Sequence, residues 1–287
     1  MRTAYIGTSP FAATVLEALA GSRHRPALVI TRPPRPRGRG RQLSPTPVAA
    51  QAGSLGIPVL APDRLSDAGE EIAAVAPEIL CVCAYGALVR EPILSAYEIL
   101  NVHPSLLPRW RGAAPVERSI MAGDAQTGVC IMRLVAELDA GPVCAREVTP
   151  IAPADDYGTL AARLARIASR LLVAALDGPR NYVEQAGEVT YAEKIAPEDR
   201  VLDPGATAAE LERVVRALHP HIGARTASGL GVEAARACAA SAPAGELVLR
   251  DGQLLYGASA GSLELLRVKP PAGREMDAAS YVRGHAI

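Results

Sequence analysis

Residues 101–115, NVHPSLLPRWRGAAP, place an amide, an imidazole and a hydroxyl at alternate positions: Asn101, His103 and Ser105. Alternate side chains of an extended strand share a face. Pro104 and Pro108 then stop regular structure, so these polar groups are expected at the end of a strand. An open α/β sheet binds its ligands there, beyond the carboxyl ends of its strands. A lone histidine in an apolar stretch is usually structural, and an asparagine before a turn is often only a turn former. Here three polar types share one face, and Asp139 follows in LDAGP, framed by Gly141 and Pro142. An amide can donate to a developing oxyanion, histidine titrates near neutral pH, and a carboxylate can orient it or help move a proton. No serine or cysteine has the flanks of a nucleophile elbow. The pattern reads as acid–base chemistry on a carbonyl, carried by Asn101, His103 and Asp139.

Outward from this stretch the chain alternates. Strands are expected at residues 3–6, 27–30, 57–60 and 79–85, and helices at 11–20, 48–55 and 72–75. Such alternation predicts a Rossmann-like, mostly parallel sheet. Gly7 follows the first strand, but without G-x-G-x-x-G it makes a weak dinucleotide signal. Residues 129–134 and 143–148 read as a β pair flanking the Asp139 loop, and 160–176 as a helix. Beyond a Pro-rich, charged stretch at 197–204, residues 208–218 have helical spacing. Short strand-like runs follow at 246–249, 253–256 and 262–268, which predicts a small β-barrel. The expected division is a catalytic domain at 1–196, a linker at 197–204 and a β domain at 205–287.

A chain of 287 residues can bury one large and one smaller core. It is 49% hydrophobic without a run long enough to span a bilayer, and its first strand leaves no room for a signal peptide. A cytoplasmic protein acting away from membranes is expected. Five cysteines make no disulfide framework in a chain this long. Cys81 and Cys83 alternate in ILCVCAY on one strand face, and without a second Cys or His pair at zinc spacing no metal is expected.

Acids and bases balance at 30 each, so net charge announces no nucleic-acid partner. The distribution says more. Residues 31–42, TRPPRPRGRGRQ, hold Arg32, Arg35, Arg37, Arg39 and Arg41 and no acid. Most charge runs are solvated surface loops. Proline and glycine rule out a regular helix here, and arginine forks suit phosphate better than lysine does.

The Asn-x-His string with its distant Asp resembles the folate-dependent formyltransferases. The continuation Arg109-Trp110-Arg111-Gly112-Ala113-Ala114-Pro115 resembles the branch whose acceptor is initiator methionyl-tRNA, and differs from the branch acting on glycinamide ribonucleotide. The resemblance extends through Ala4-Tyr5-Ile6-Gly7-Thr8, Gly38-Arg39-Gly40, Tyr191-Ala192-Glu193-Lys194 and Pro270-Pro271-Ala272-Gly273-Arg274, almost the whole chain. It implies 10-formyltetrahydrofolate as co-substrate, an OB-like C-terminal domain and a monomer. It also implies folate contacts at Ser105, Leu106, Leu107 and Pro108, and tRNA contacts at Arg35, Arg37, Arg39 and Arg41. Ala84, Tyr85 and Gly86, with the loop 137–139, are expected to wall the pterin pocket.

Two departures stand out. His219-Pro220-His221-Ile222-Gly223 replaces the family's common Asn-Pro-Trp-Pro segment, and residues 201–287 are charge-balanced. A tRNA-holding face there would have to be local, with Arg213 and Arg216 on one helix side and Arg267 and Lys269 on one strand side. An amino-sugar nucleotide N-formyltransferase would share the trio but need a nucleotide pocket in place of the arginine loop. A non-enzymatic RNA-binding protein would have no use for Asn101, His103 and Asp139 together.

Overall fold

The first strand, β1 (Thr3–Gly7), is buried along its whole length, and Ser9 caps the helix that follows, accepting from the Ala12 amide with Pro10 in the first turn. In this computed structural model, which describes residues 1–37, 42–285 and 287, the elements run α1 (Pro10–Ala20), β2 (Pro26–Ile30), β3 (Arg35–Arg37), β4 (Gln42–Ser44), α2 (Pro47–Ser54), β5 (Val59–Leu60), α3 (Gly69–Val75), β6 (Ile79–Cys83), α4 (Ile93–Ala96), β7 (Glu98–His103) and β8 (Arg111–Gly112). They continue as α5 (Pro115–Ala122), β9 (Gln126–Arg133), β10 (Val143–Pro150), α6 (Tyr157–Asp177), β11 (Tyr191–Ala192) and α7 (Ala208–Leu218). The chain closes with β12 (Ala224–Arg225), β13 (Gly231–Cys238), β14 (Leu247–Arg250), β15 (Gln253–Gly257), β16 (Ser262–Lys269), β17 (Met276–Asp277) and α8 (Ala278–Gly284).

Two units emerge. The first comprises Met1–Ala113, Thr127–Thr149 and Ala161–Ala192; the second comprises Ala114–Gln126, Pro150–Leu160 and Glu193–Ile287. This differs from a single cut after residue 196, because two short internal segments cluster with the C-terminal one.

Unit 1 is built on a seven-stranded sheet ordered β10-β9-β7-β6-β1-β2-β5. Its pairs from β5 through β7 are parallel, and β9 joins β7 antiparallel. β1 and β6 are buried at every position, as a parallel strand covered on both faces must be. Cys81 and Cys83 lie in that core, where burial pushes both thiols up to about 12, so neither is a nucleophile at neutral pH. β6 and β7 finish side by side, with Val82 beside Asn101 and Cys83 beside Val102.

Unit 2 carries an antiparallel sheet ordered β12-β13-β16-β15-β14, with β17 paired to β16. Thr207 and Glu210 form a capping box on α7, whose Leu211, Val215 and Leu218 pack with Val232, Leu254, Tyr256, Leu263 and Leu265. One residue of the stretch expected as a linker, Leu202, belongs to this core. Leu202 is fully buried, the Tyr256 hydroxyl donates to its carbonyl at 2.9 Å, and Asp199 takes both ends of the Arg118 guanidinium at 3.1 and 2.8 Å. Leu202 supplies apolar surface that the composition of 197–204 hides.

Arg213 and Arg216 do share a side of α7, but they hold protein. Arg213 donates to the Met121 carbonyl at the end of α5, and Arg216 to the Asp155 carbonyl. Each histidine of His219-Pro220-His221 meets a carboxylate, His219 with Asp156 and His221 with Glu117, both at 2.9 Å, and His221 stacks on Tyr157. Burial raises the Asp156 pKa, but hydrogen bonds from Thr159 and His219 outweigh it and hold the carboxyl below its ordinary range. A depressed carboxylate stabilises fully above its unfolded pKa and loses that contribution as pH falls through the folded one. Asp156→Asn is therefore expected to lower the unfolding temperature near neutral pH. The gap should narrow as pH falls below about 4, which thermal unfolding across pH would follow. Among the described residues, no helix is long and apolar enough to cross a membrane.

Candidate active site

Asn101 and His103 lie at the carboxyl end of β7, opposite Met132 and Cys130 of β9, and both are buried. Pro104 ends the strand as its ring dictates. Asp139 comes from the loop between β9 and β10, only 8% exposed, with a backbone φ of 46° that non-glycine residues seldom adopt. Its carboxylate gathers the site. The Gly112 amide donates to Oδ2 at 2.8 Å, Asn101 Nδ2 donates to Oδ1 at 3.2 Å, and His103 Nδ1 faces Oδ2 at 3.6 Å. The last distance is ion-pair range and too long for a hydrogen bond. His103 Nε2 donates to the Trp110 carbonyl at 2.8 Å, so both ring nitrogens face oxygen.

Asn101 spends one N–H on Asp139 and has a second to offer. An imidazole beside a carboxylate can hold and pass a proton. The nearby thiol of Cys130 is buried, which pushes it up to about 11. The set can polarise a carbonyl oxygen and move a proton, while an incoming substrate supplies the nucleophile.

The expected folate contacts divide. Ser105 is not part of β7, which ends at His103. It lies past the strand end, fully buried, and its hydroxyl donates to the Arg109 carbonyl at 2.6 Å, bracing the turn. Leu107 packs on Cys130 and Met132, and Pro108 is also buried. Tyr85 is part of the sheet core. Surface at the ends of β6 and β7 comes from Ala84 and Gly86, both exposed and both with positive φ, and from half-buried Leu106. Of the arginine run, Arg35 and Arg37 lie in β3, which pairs antiparallel with β4, whereas Arg39 and Arg41 fall outside the described residues.

Sequence reading missed the residues that hold this site. Thr190 Oγ1 accepts from the Trp110 amide at 2.9 Å, and its carbonyl accepts from the Arg111 amide at 2.9 Å. Gln185 and Arg111 meet at the Asp139 loop. Gly141 fits there because an added Cβ would lie 1.8 Å from the Arg133 carbonyl oxygen. The only local signal was RWRG itself.

Residues 1–176 match the family described as formyl transferase, and residues 194–286 match the formyl transferase C-terminal domain. This chain belongs to the formyl transferase family. A methionyl-tRNA formyltransferase of Halorhodospira halophila is 43% identical over 100% of this chain and 97% of its own. One of Methylococcus capsulatus is 37% identical over 100% and 98%. Among solved structures, HypX from Aquifex aeolicus in complex with tetrahydrofolic acid has a TM-score of 0.68 and 17% identity, covering 98% of this chain and 47% of that one. An N-formyltransferase from Helicobacter canadensis, in complex with folinic acid and dTDP-3-aminofucose, has a TM-score of 0.69 and 13% identity, covering 92% and 98%. At these identities the two structures share the formyl transferase fold and carry no argument about the acceptor. The formyl transferase match to residues 1–176 includes Asn101, His103 and Asp139.

Proposed function

We propose that this formyl transferase moves the formyl group of 10-formyltetrahydrofolate to the α-amine of initiator methionyl-tRNA, in the cytoplasm. The observation that carries the reaction type is the meeting of Asn101, His103 and Asp139 at the end of β7. The choice of acceptor is supported by full-length identity to proteins named methionyl-tRNA formyltransferase, and by the arginine run.

The residues fit a flat heteroaromatic co-substrate. Ala84 and Gly86 expose backbone at the end of β6, and Leu106 offers an apolar edge beside β7. Asn101 would donate its second N–H to the formyl oxygen as the amine attacks, and His103, its ring nitrogens held by Asp139 and the Trp110 carbonyl, would oppose the growing negative charge as a protonated ring. Asp139 would hold the imidazole and take part in moving the proton that the amine loses. A C–N bond forms to the methionyl nitrogen, the C–N bond to folate breaks, and that folate nitrogen receives the proton. The α-amine needs little help to be neutral, since such groups titrate near pH 8.

The test follows a labelled formyl carbon. It should appear on methionyl-tRNA with a free α-amine and not on N-acetylated methionyl-tRNA. Labelling of neither would defeat the reading.

A further inference from the structure

We infer that Gln185 is a positioning residue for formyl transfer, acting through Asp139. Its amide nitrogen donates to the Asp139 carbonyl at 2.7 Å and to the Gly141 carbonyl at 2.8 Å. Its amide oxygen accepts from Arg111 Nε at 3.1 Å and Nη2 at 2.9 Å. All of its donors and its acceptor are used inside unit 1.

The position of these bonds matters more than their number. Two N–H groups grip the backbone at Asp139, which holds a φ of 46° that favours glycine, and again two residues later at Gly141. Gln185 therefore fixes the direction in which the Asp139 carboxylate leaves the backbone. Arg111 immediately precedes Gly112, whose amide donates to that same carboxylate. Gln185 thus holds both the Asp139 backbone and the strand that supplies its partner. The Arg111 guanidinium is 9% exposed, and its remaining ion pair runs to Glu137, which is 70% exposed. A charge so buried needs the neutral acceptor that Gln185 supplies. Only an amide meets both demands. A carboxylate would still accept from Arg111 but would face the two carbonyls without a proton. A thioether would lose all four bonds.

The inference rests on the proposed formyl transfer and is tested in the full chain by Gln185→Glu and Gln185→Met, assayed with 10-formyltetrahydrofolate and methionyl-tRNA. The unmodified chain is measured first; if it moves no formyl group, the functional reading falls and the inference with it. In an active protein, each variant is expected to lose about 10- to 100-fold in kcat, with both KM values within about 3-fold. Gln185→Glu keeps the Arg111 contact and guards against a result that merely reflects misfolding. The deciding readout is a cycle with Asp139→Ala. In that background Gln185→Met should cost less than about 3-fold more, because the group it positions is gone. Unchanged kcat, a loss confined to KM, or the same loss repeated in the Asp139→Ala background would overturn the role.

Discussion

Asp139→Ala is expected to slow formyl transfer by about 10³-fold while leaving folate binding within a few-fold. The carboxylate is the group on which the Gly112 amide, the Asn101 amide and the His103 ring converge. Its removal leaves the Asn101 side chain unaimed and the imidazole without its charge partner, so one truncation reaches all three members. Asn101→Ala removes the oxyanion donor together with one hydrogen bond to Asp139 and should cost about 10²–10³. His103→Ala should fall at or beyond that range, and the double change with Asp139→Ala should add little, because the residues act as a unit. Single-turnover rates at saturating substrates measure this apart from binding. Near-normal turnover in His103→Ala would contradict the trio.

The second large effect concerns the acceptor. Replacing Arg35, Arg37, Arg39 and Arg41 with alanine is expected to weaken methionyl-tRNA use strongly at physiological salt, without changing the chemistry at the formyl carbon. The chain as a whole has no net charge that would replace them, since acids and bases balance at 30 each. On the α7 face, Arg213 and Arg216 are committed to carbonyls of unit 2, and on β16 Arg267 pairs with Glu275 at 2.6 Å. Every duplex phosphate that no longer meets an arginine should flatten the log–log salt dependence of tRNA binding by about 0.9. Equal affinity and an equal slope in the unmodified and four-alanine proteins would make the run an ordinary solvated surface.

Much of this site was legible because its signal is local. Asn101 and His103 are two apart on a strand, and Pro104 marks where that strand stops, so period and punctuation suffice. Ser105 shows the limit of the same reasoning. The alternation that would put it on the shared face ends at Pro104, and its hydroxyl turns to Arg109. Gln185 and Thr190 were invisible because they sit in an irregular stretch, with partners more than 40 residues away along the chain. β13 escaped for another reason: GVEAARAC is rich in alanine, a poor strand former, and gains its place by pairing with β16 through two register shifts. The unit boundary was hidden too. α5 is short, and nothing in PVERSIMA reveals that it packs on α7 almost a hundred residues later. A chain cut near residue 197 would strip α5 of α7 and of its bond from Arg213, so removing the C-terminal segment is a poor way to isolate tRNA binding. Replacing the arginines in the full chain avoids that damage.

A competition assay tests the catalytic cluster and the acceptor together. The protein would be given 10-formyltetrahydrofolate labelled in its formyl carbon, with methionyl-tRNA and a dTDP-linked amino sugar in the same vessel. Label should accumulate on methionyl-tRNA and not on the sugar, and its appearance should fall about 10³-fold with Asp139→Ala. Label on the amino sugar instead, or transfer to methionyl-tRNA that survives Asp139→Ala, would contradict the proposed function.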